Sequence, residues 1–169
     1  LETTITAENW SGSLYIRSAL DGRVVNSGVK RYQKLSNQHL LPVETQAVDD
    51  ETVYLQMETN QSRIRISEAA RTRLYRKGKQ VTLQPHVIEE PGYIAQEFTV
   101  SVEQEKSVNI EKIVALYTSR DHAISESGLQ ARKEVERTTG FYELFKRHVF
   151  SWDHLWERCH IDIKNGDRL

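Results

Sequence analysis

Residues 89–119, "EEPGYIAQEFTVSVEQEKSVNIEKIVALYTS", decide the fold class. Pro91-Gly92 makes a turn, and then Phe98, Val100 and Val102 alternate with Thr99 and Ser101. This period of two belongs to a strand with one buried face. "VEQEKS" (102–107) reverses the chain into a second β-rich run that ends near Tyr117. Two β-rich runs joined by a short polar turn predict sheet over this stretch.

The same grammar extends outward over Thr3 to Thr118. Turn signals fall at Ser11-Gly12, Asp21-Gly22, Asn26-Ser27-Gly28, Asp49-Asp50, Asn60-Gln61 and Lys77-Gly78-Lys79. Between them lie the short runs Val53 to Met57, Ser62 to Tyr75 and Val81 to Ile88. Punctuation every ten to fifteen residues predicts a mainly β chain folded as an antiparallel β-sandwich. Within "RIRISEAARTRLYRKG" (63–78), Glu68-Ala69-Ala70-Arg71 would suit a helix by propensity. The flanking Ile64, Ile66, Leu74 and Tyr75 favour a strand, and a strand is expected.

Past Arg120-Asp121 the pattern changes to two C-terminal α-helices. Ser125 is the expected N-cap of a short polar helix, with Glu126 in its first turn and Gly140 as its stop. The second helix is expected from Phe141 to about His160. Phe141, Leu144, Phe145, Trp152, Leu155, Trp156 and Cys159 recur at three- and four-residue steps, and Val149 and Phe150 widen the stripe. An apolar face of that width predicts partners on more than one side. The expected division is therefore a sandwich portion at 1–120 and a helical region at 121–169.

Composition narrows the function. The 169 residues suit one domain or one domain with an appendage, and 38% hydrophobic content allows an adequate core. Twenty-three Lys and Arg stand against 24 Asp and Glu, dispersed along the chain. That balance argues against nucleic acid, whose binding needs a cationic surplus. Cys159 is the single cysteine, so neither an intrachain disulfide nor a cysteine-based zinc site is available. Neither a secretory signal nor an apolar run long enough to span a membrane is present. A cytoplasmic location is the expectation. The chain starts at Leu1 rather than Met, directly in strand-like sequence, and is expected to be a piece of a longer polypeptide.

Catalytic and metal-binding patterns are weak. His148, His154 and His160 are six apart, which places successive ones on different helix faces, so no metal site is expected. Cys159 beside His160 does not make a nucleophile–base pair, since adjacent helical side chains diverge; a core-facing cysteine on the apolar stripe is expected. The acids at 49–51, 89–90 and 103–105 sit in turns, where solvation explains them. No catalytic residue and no cofactor is expected. The polar stretch "LYIRSALDGRVVNSGVKRYQKL" (14–35) reads first as a strand–loop–strand corner, with Asp21 and Asn26 bonding local backbone and its glycines at positive φ. Its functional reading makes Arg17, Arg31, Tyr32 and the nearby His39 candidates for contacting a carbohydrate or a neighbouring domain.

"IRSALDGRVVNSGVKRY" (16–32) followed by "NQHLLPVE" (37–44) resembles the N-terminal region of family 65 glycoside hydrolases, which include maltose, trehalose and kojibiose phosphorylases and acid trehalases. The resemblance continues through "QSRIRISEAARTRLY" (61–75), "EKIVALYTSRD" (111–121) and "SWDHLWERCHIDI" (151–163), and so spans essentially the whole chain. It implies the later part of a supersandwich-like β domain and its linker helices, ahead of an (α/α) barrel that carries the chemistry. In the phosphorylases of that family, a barrel glutamate protonates the glycosidic oxygen while inorganic phosphate, the co-substrate, attacks the anomeric carbon. This chain contains no counterpart of that glutamate. The resemblance therefore implies a non-catalytic portion that supports the barrel and takes part in homodimer contacts. The rival reading is an independent carbohydrate-binding module, against which the aromatics count, being concentrated in the last helix rather than on the sheet.

Overall fold

The computed structural model describes residues 1–26, 37–122, 124–159 and 161. Among the described residues, nine strands and two helices follow one another in the order β1 (Glu2–Thr6), β2 (Gly12–Asp21), β3 (Leu40–Ala47), β4 (Thr52–Thr59), β5 (Arg65–Arg76), β6 (Lys79–Val81), β7 (His86–Glu90), β8 (Tyr93–Val102), β9 (Ser107–Thr118), α1 (Ser127–Arg137) and α2 (Phe141–Cys159). All the pairings are antiparallel. The larger sheet, A, runs β1-β9-β5-β4-β3, with β6 added beside β5; the smaller, B, runs β2-β8-β7. The expected antiparallel sandwich followed by two helices is what forms.

Sheet B packs on one face of sheet A through two apolar clusters. One gathers Leu74, Phe98, Val100, Val102 and Val108; the other gathers Leu20, Val53, Leu55, Met57, Ala70 and Ile94. Helix α1 covers the opposite face, where Tyr54, Ala69 and Ala115 meet Ala131 and Val135. Strands β4 and β5 are thus covered on both faces, and residues 52–57 are buried without alternation. This explains the Ala69-Ala70 pair that imitated a helix. Each alanine lies under a different layer, and both are fully buried, so tertiary packing overrides propensity.

Three expectations change. The run Val81 to Ile88 is two strands in different sheets, β6 in A and β7 in B. Pro85 has no N–H to give a ladder and holds Gln84 extended, which suits the crossover between them. The α1 N-cap position is Glu126 rather than Ser125, it makes no side-chain cap bond, and the first turn carries no acid. The helix ends at Arg137, not Gly140, because Thr138 turns extended and its N–H and hydroxyl both bond the Glu134 carbonyl, at 3.1 and 2.7 Å.

The first compact unit runs from Leu1 to Thr138, so α1, grouped with the linker by sequence, packs with the sandwich. A second unit begins at Thr139. Its helix α2 buries none of its residues. No helix among the described residues is long and apolar enough to cross a membrane.

Candidate functional site

Of the stretch 14–35, residues 14–26 are described. Asp21 ends β2, and its Oδ1 accepts from the Arg23 backbone N–H at 2.9 Å and from Arg23 Nε at 3.0 Å. The Arg23 guanidinium also donates to Glu90 at 2.7 Å and lies 4.1 Å over the Tyr93 ring. Asp21 thus bonds local backbone, as its position in a turn predicts, and the Arg23 guanidinium holds its carboxyl below the usual range. Asn26 N–H donates to the Asn37 carbonyl at 2.9 Å.

Gly22 serves otherwise than expected. Among the described residues the glycines at positive φ are Gly78 and Gly92, and Gly22 is not one of them. A Cβ on Gly22 would fall 2.6 Å from Met57 Cγ and Sδ, so its role is close approach to the core.

Of the candidate contact residues, Arg31 and Tyr32 lie outside the described residues. His39 is exposed just before β3, where its carbonyl accepts from Asn60 N–H at 2.9 Å. Arg17 stands mid-strand on β2, in the other sheet. Its Nε donates to Glu97 at 2.7 Å, and that carboxylate pushes the guanidinium's pKa up.

The outer face of sheet B is the more developed surface. Register places Arg17 opposite Glu97 and Glu97 opposite His86, one row across three strands. The next row holds Tyr15 and Thr99 and has no β7 member, because β7 begins at His86. There a pocket of about 330 Å³ is lined by Tyr15, Arg17, His86, Glu97 and Thr99, with Ile16 and Phe98. Alternation along β2 already puts Tyr15 and Arg17 on one face. Their meeting with His86 and Glu97, some seventy to eighty positions away, needs the strand register and was not legible.

A second polar assembly lies under α1 and was also missed by sequence. Ser67 Oγ accepts from Gln56 Nε2 at 2.8 Å and shares a hydrogen bond with Ser127 Oγ at 2.9 Å. Arg71, 4% exposed, donates to the carbonyls of Val135 at 2.8 Å and Thr138 at 2.7 Å. A guanidinium at the carbonyl end of a helix satisfies orphan acceptors and complements the dipole. This assembly is a structural clamp.

The acids behave as solvated or structural groups. Asp49 Oδ1 accepts from the N–H groups of Glu51 and Thr52 at 2.8 and 2.7 Å, and Glu51 pairs with Arg73 at 2.6 Å. Among the described residues, no three His, Cys, Asp or Glu side chains stand close enough to hold a metal ion.

Helix α2 carries the predicted stripe. Rings stack along it from Phe141 to Phe145, 5.8 Å between centroids, and from Trp152 to Trp156, 6.4 Å. Leu144, Phe145, Trp152, Leu155 and Trp156 are all exposed, and Phe141 is half-buried. Cys159 is exposed too, where a core-facing position was expected. Phe150, 76% exposed, sits about half a turn round from this stripe at 100° per residue rather than widening it.

Comparison with known proteins agrees with this architecture. Residues 1–155 match the description "Glycosyl hydrolase family 65, N-terminal domain". An uncharacterised glycosyl hydrolase of Mycobacterium tuberculosis is 39% identical over 163 residues, covering 96% of this chain and 12% of its own. A kojibiose phosphorylase of Halothermothrix orenii is 24% identical over 168 residues, covering 94% of this chain and 20% of its own. The chain therefore spans a fifth or less of the length of these two relatives. A solved structure described as a putative kojibiose phosphorylase from human microbiome superposes with a TM-score of 0.71 at 12% identity, over 92% of this chain and 19% of that one, and so shares the fold. On the match over residues 1–155, the chain belongs to glycosyl hydrolase family 65, as an N-terminal domain of that family.

Proposed function

We propose that this chain is a non-catalytic, supporting domain of a phosphorylase or hydrolase that acts on α-linked disaccharides of the kojibiose, maltose or trehalose type. The observation that carries this reading is α2. Nineteen residues form a regular helix with an apolar stripe, yet none of them is buried. Burial of each large apolar side chain is worth roughly 1.5–3 kcal/mol, so a stripe left uncovered favours docking onto further protein. A catalytic (α/α) barrel of the same parent protein is the partner that the family supports, and a homodimer is the assembly. Inorganic phosphate would be a co-substrate of that barrel, not a ligand of this domain, and the cytoplasm is the compartment such sugar phosphorolysis implies.

Two measurements on the purified chain test this. Incubation with kojibiose, maltose or trehalose, with and without phosphate, is expected to release no glucose; turnover would overturn the non-catalytic reading. Light scattering over a dilution series is expected to show association that weakens on dilution and is abolished by Trp152→Asp or Leu155→Asp. A monomer at every concentration would remove the support that α2 gives to docking.

A further inference from the structure

We propose that the pocket on the outer face of sheet B binds a single neutral sugar ring, through Tyr15, Arg17, His86 and Glu97. Its lining comes from β2, β7 and β8 of the first unit, and the proposal stands whether or not the chain supports a barrel.

Three observations identify the ligand class. First, Tyr15 is 78% exposed in the middle of a strand, with its ring beside the pocket. An aromatic ring offers a flat apolar face with a polar tip, suited to stacking on the C–H face of a pyranose while its hydroxyl reaches the rim. Second, the charges cancel. Arg17 and Glu97 pair at 2.7 Å, so the pocket presents donors and acceptors with no surplus of either sign. A phosphate would meet Glu97, and a cation would meet Arg17; a polyol can give protons to the carboxylate and accept them from the guanidinium. Arg17 meets Glu97 through Oε1, from both Nε and Nη2, so a hydroxyl donor can approach Oε2. Third, the size is right. At 330 Å³ the pocket stands at the lower bound of ligand sites, roughly 300–1,000 Å³, room for one ring rather than an oligosaccharide.

The stop of β7 at His86 creates this space. Beyond it, β8 runs on beside β2 without a β7 neighbour, so Thr99 and Tyr15 border open space on the outer face. Another pocket, of about 290 Å³, is the notch lined by Asp49, Glu51, Arg73 and Gln80 among others. Its polar groups already bond one another, since Glu51 accepts from both Arg73 and Gln80, and no exposed ring borders it.

The test is an amide ¹H–¹⁵N NMR titration of the full chain with D-glucose and with maltose, using sorbitol and inorganic phosphate as comparison probes. Glucose is expected to shift the signals of residues 15–17, 86 and 97–99 to saturation, with a Kd on the order of 1 mM, as a shallow site affords. Sorbitol has the hydroxyls without the ring face and is expected to bind at least about tenfold more weakly. Tyr15→Ala and Glu97→Gln are expected to abolish the shifts while leaving the remaining spectrum folded; Tyr142→Ala, on α2, is expected to change nothing. Saturating shifts of the same residues by phosphate but not by glucose would overturn the proposal in favour of an anion site. Absence of localised shifts with either sugar would overturn it outright.

Discussion

Single positions in this chain are set by how closely the layers approach. Gly128 lies in the first turn of α1, and a Cβ there would fall 2.2 Å from the Tyr54 hydroxyl and 3.0 Å from its Cζ. Tyr54 is 1% exposed and cannot swing aside. Gly128→Ala is expected to destabilise the fold by about 1–3 kcal/mol, despite the roughly 1 kcal/mol that alanine gains over glycine in a helix. In a Tyr54→Phe background the loss should shrink towards zero, and urea denaturation of the four variants checks this as a double-mutant cycle.

Glu68 makes a second prediction at this scale. Burial pushes its carboxyl above the ordinary 4.5, with the Lys112 ammonium opposing the shift. A raised folded-state value means that its contribution is fully present below the ordinary carboxylate range and is lost as pH rises through the folded value. Glu68→Gln is therefore expected to raise the melting temperature at pH 7, and the gain should fade below about pH 4.

Elements in this structure are held as much by their neighbours as by their own caps. Helix α1 lacks a side-chain N-cap. Its carbonyl end is clamped instead by Arg71 from β5, whose burial lowers its pKa. Arg71→Met keeps much of the volume and removes the charged donors, each such bond being worth about 1.5–3 kcal/mol. The expected result is a loss of stability of about that size, with hydrogen exchange in α1 accelerated before exchange in β5. Equal acceleration in both would show that the clamp serves the sheet rather than the helix. Ser125 could be expected as a cap because capping rules are local; it is displaced because Ser127 is drawn to Ser67, sixty positions away. Helix α2 shows the opposite case. Its bounds at Phe141 and Cys159 and its apolar stripe follow from residues three and four apart, and nothing distant revises them.

At the scale of the first unit, Leu1–Thr138, the fold is a sandwich with a helix laid on the larger sheet, and the layering decides what the sequence could reveal. Alternation made β8 legible, because a period-two run records one covered face. Turn residues fixed where the chain reverses, and the change of period after Asp121 announced the helices. Family membership was legible too, in motifs spread from residue 16 to residue 163. What remained hidden needs three dimensions. Sheet A buries both faces at β4 and β5, so Ala69-Ala70 carried no strand signal of its own. Pro85 separates β6 from β7, but only the tertiary pairing sends them to different sheets. The pocket at Tyr15, Arg17, His86 and Glu97 draws on three strands, and its members become neighbours only through register. The sequence by itself determined the mainly β character of the first 120 residues, the apolar helix and the family, since each is written in residues a few positions apart. Tertiary structure alone decided which strands share a sheet, what clamps α1, and which distant side chains meet, because those depend on long-range pairing that no local spacing encodes.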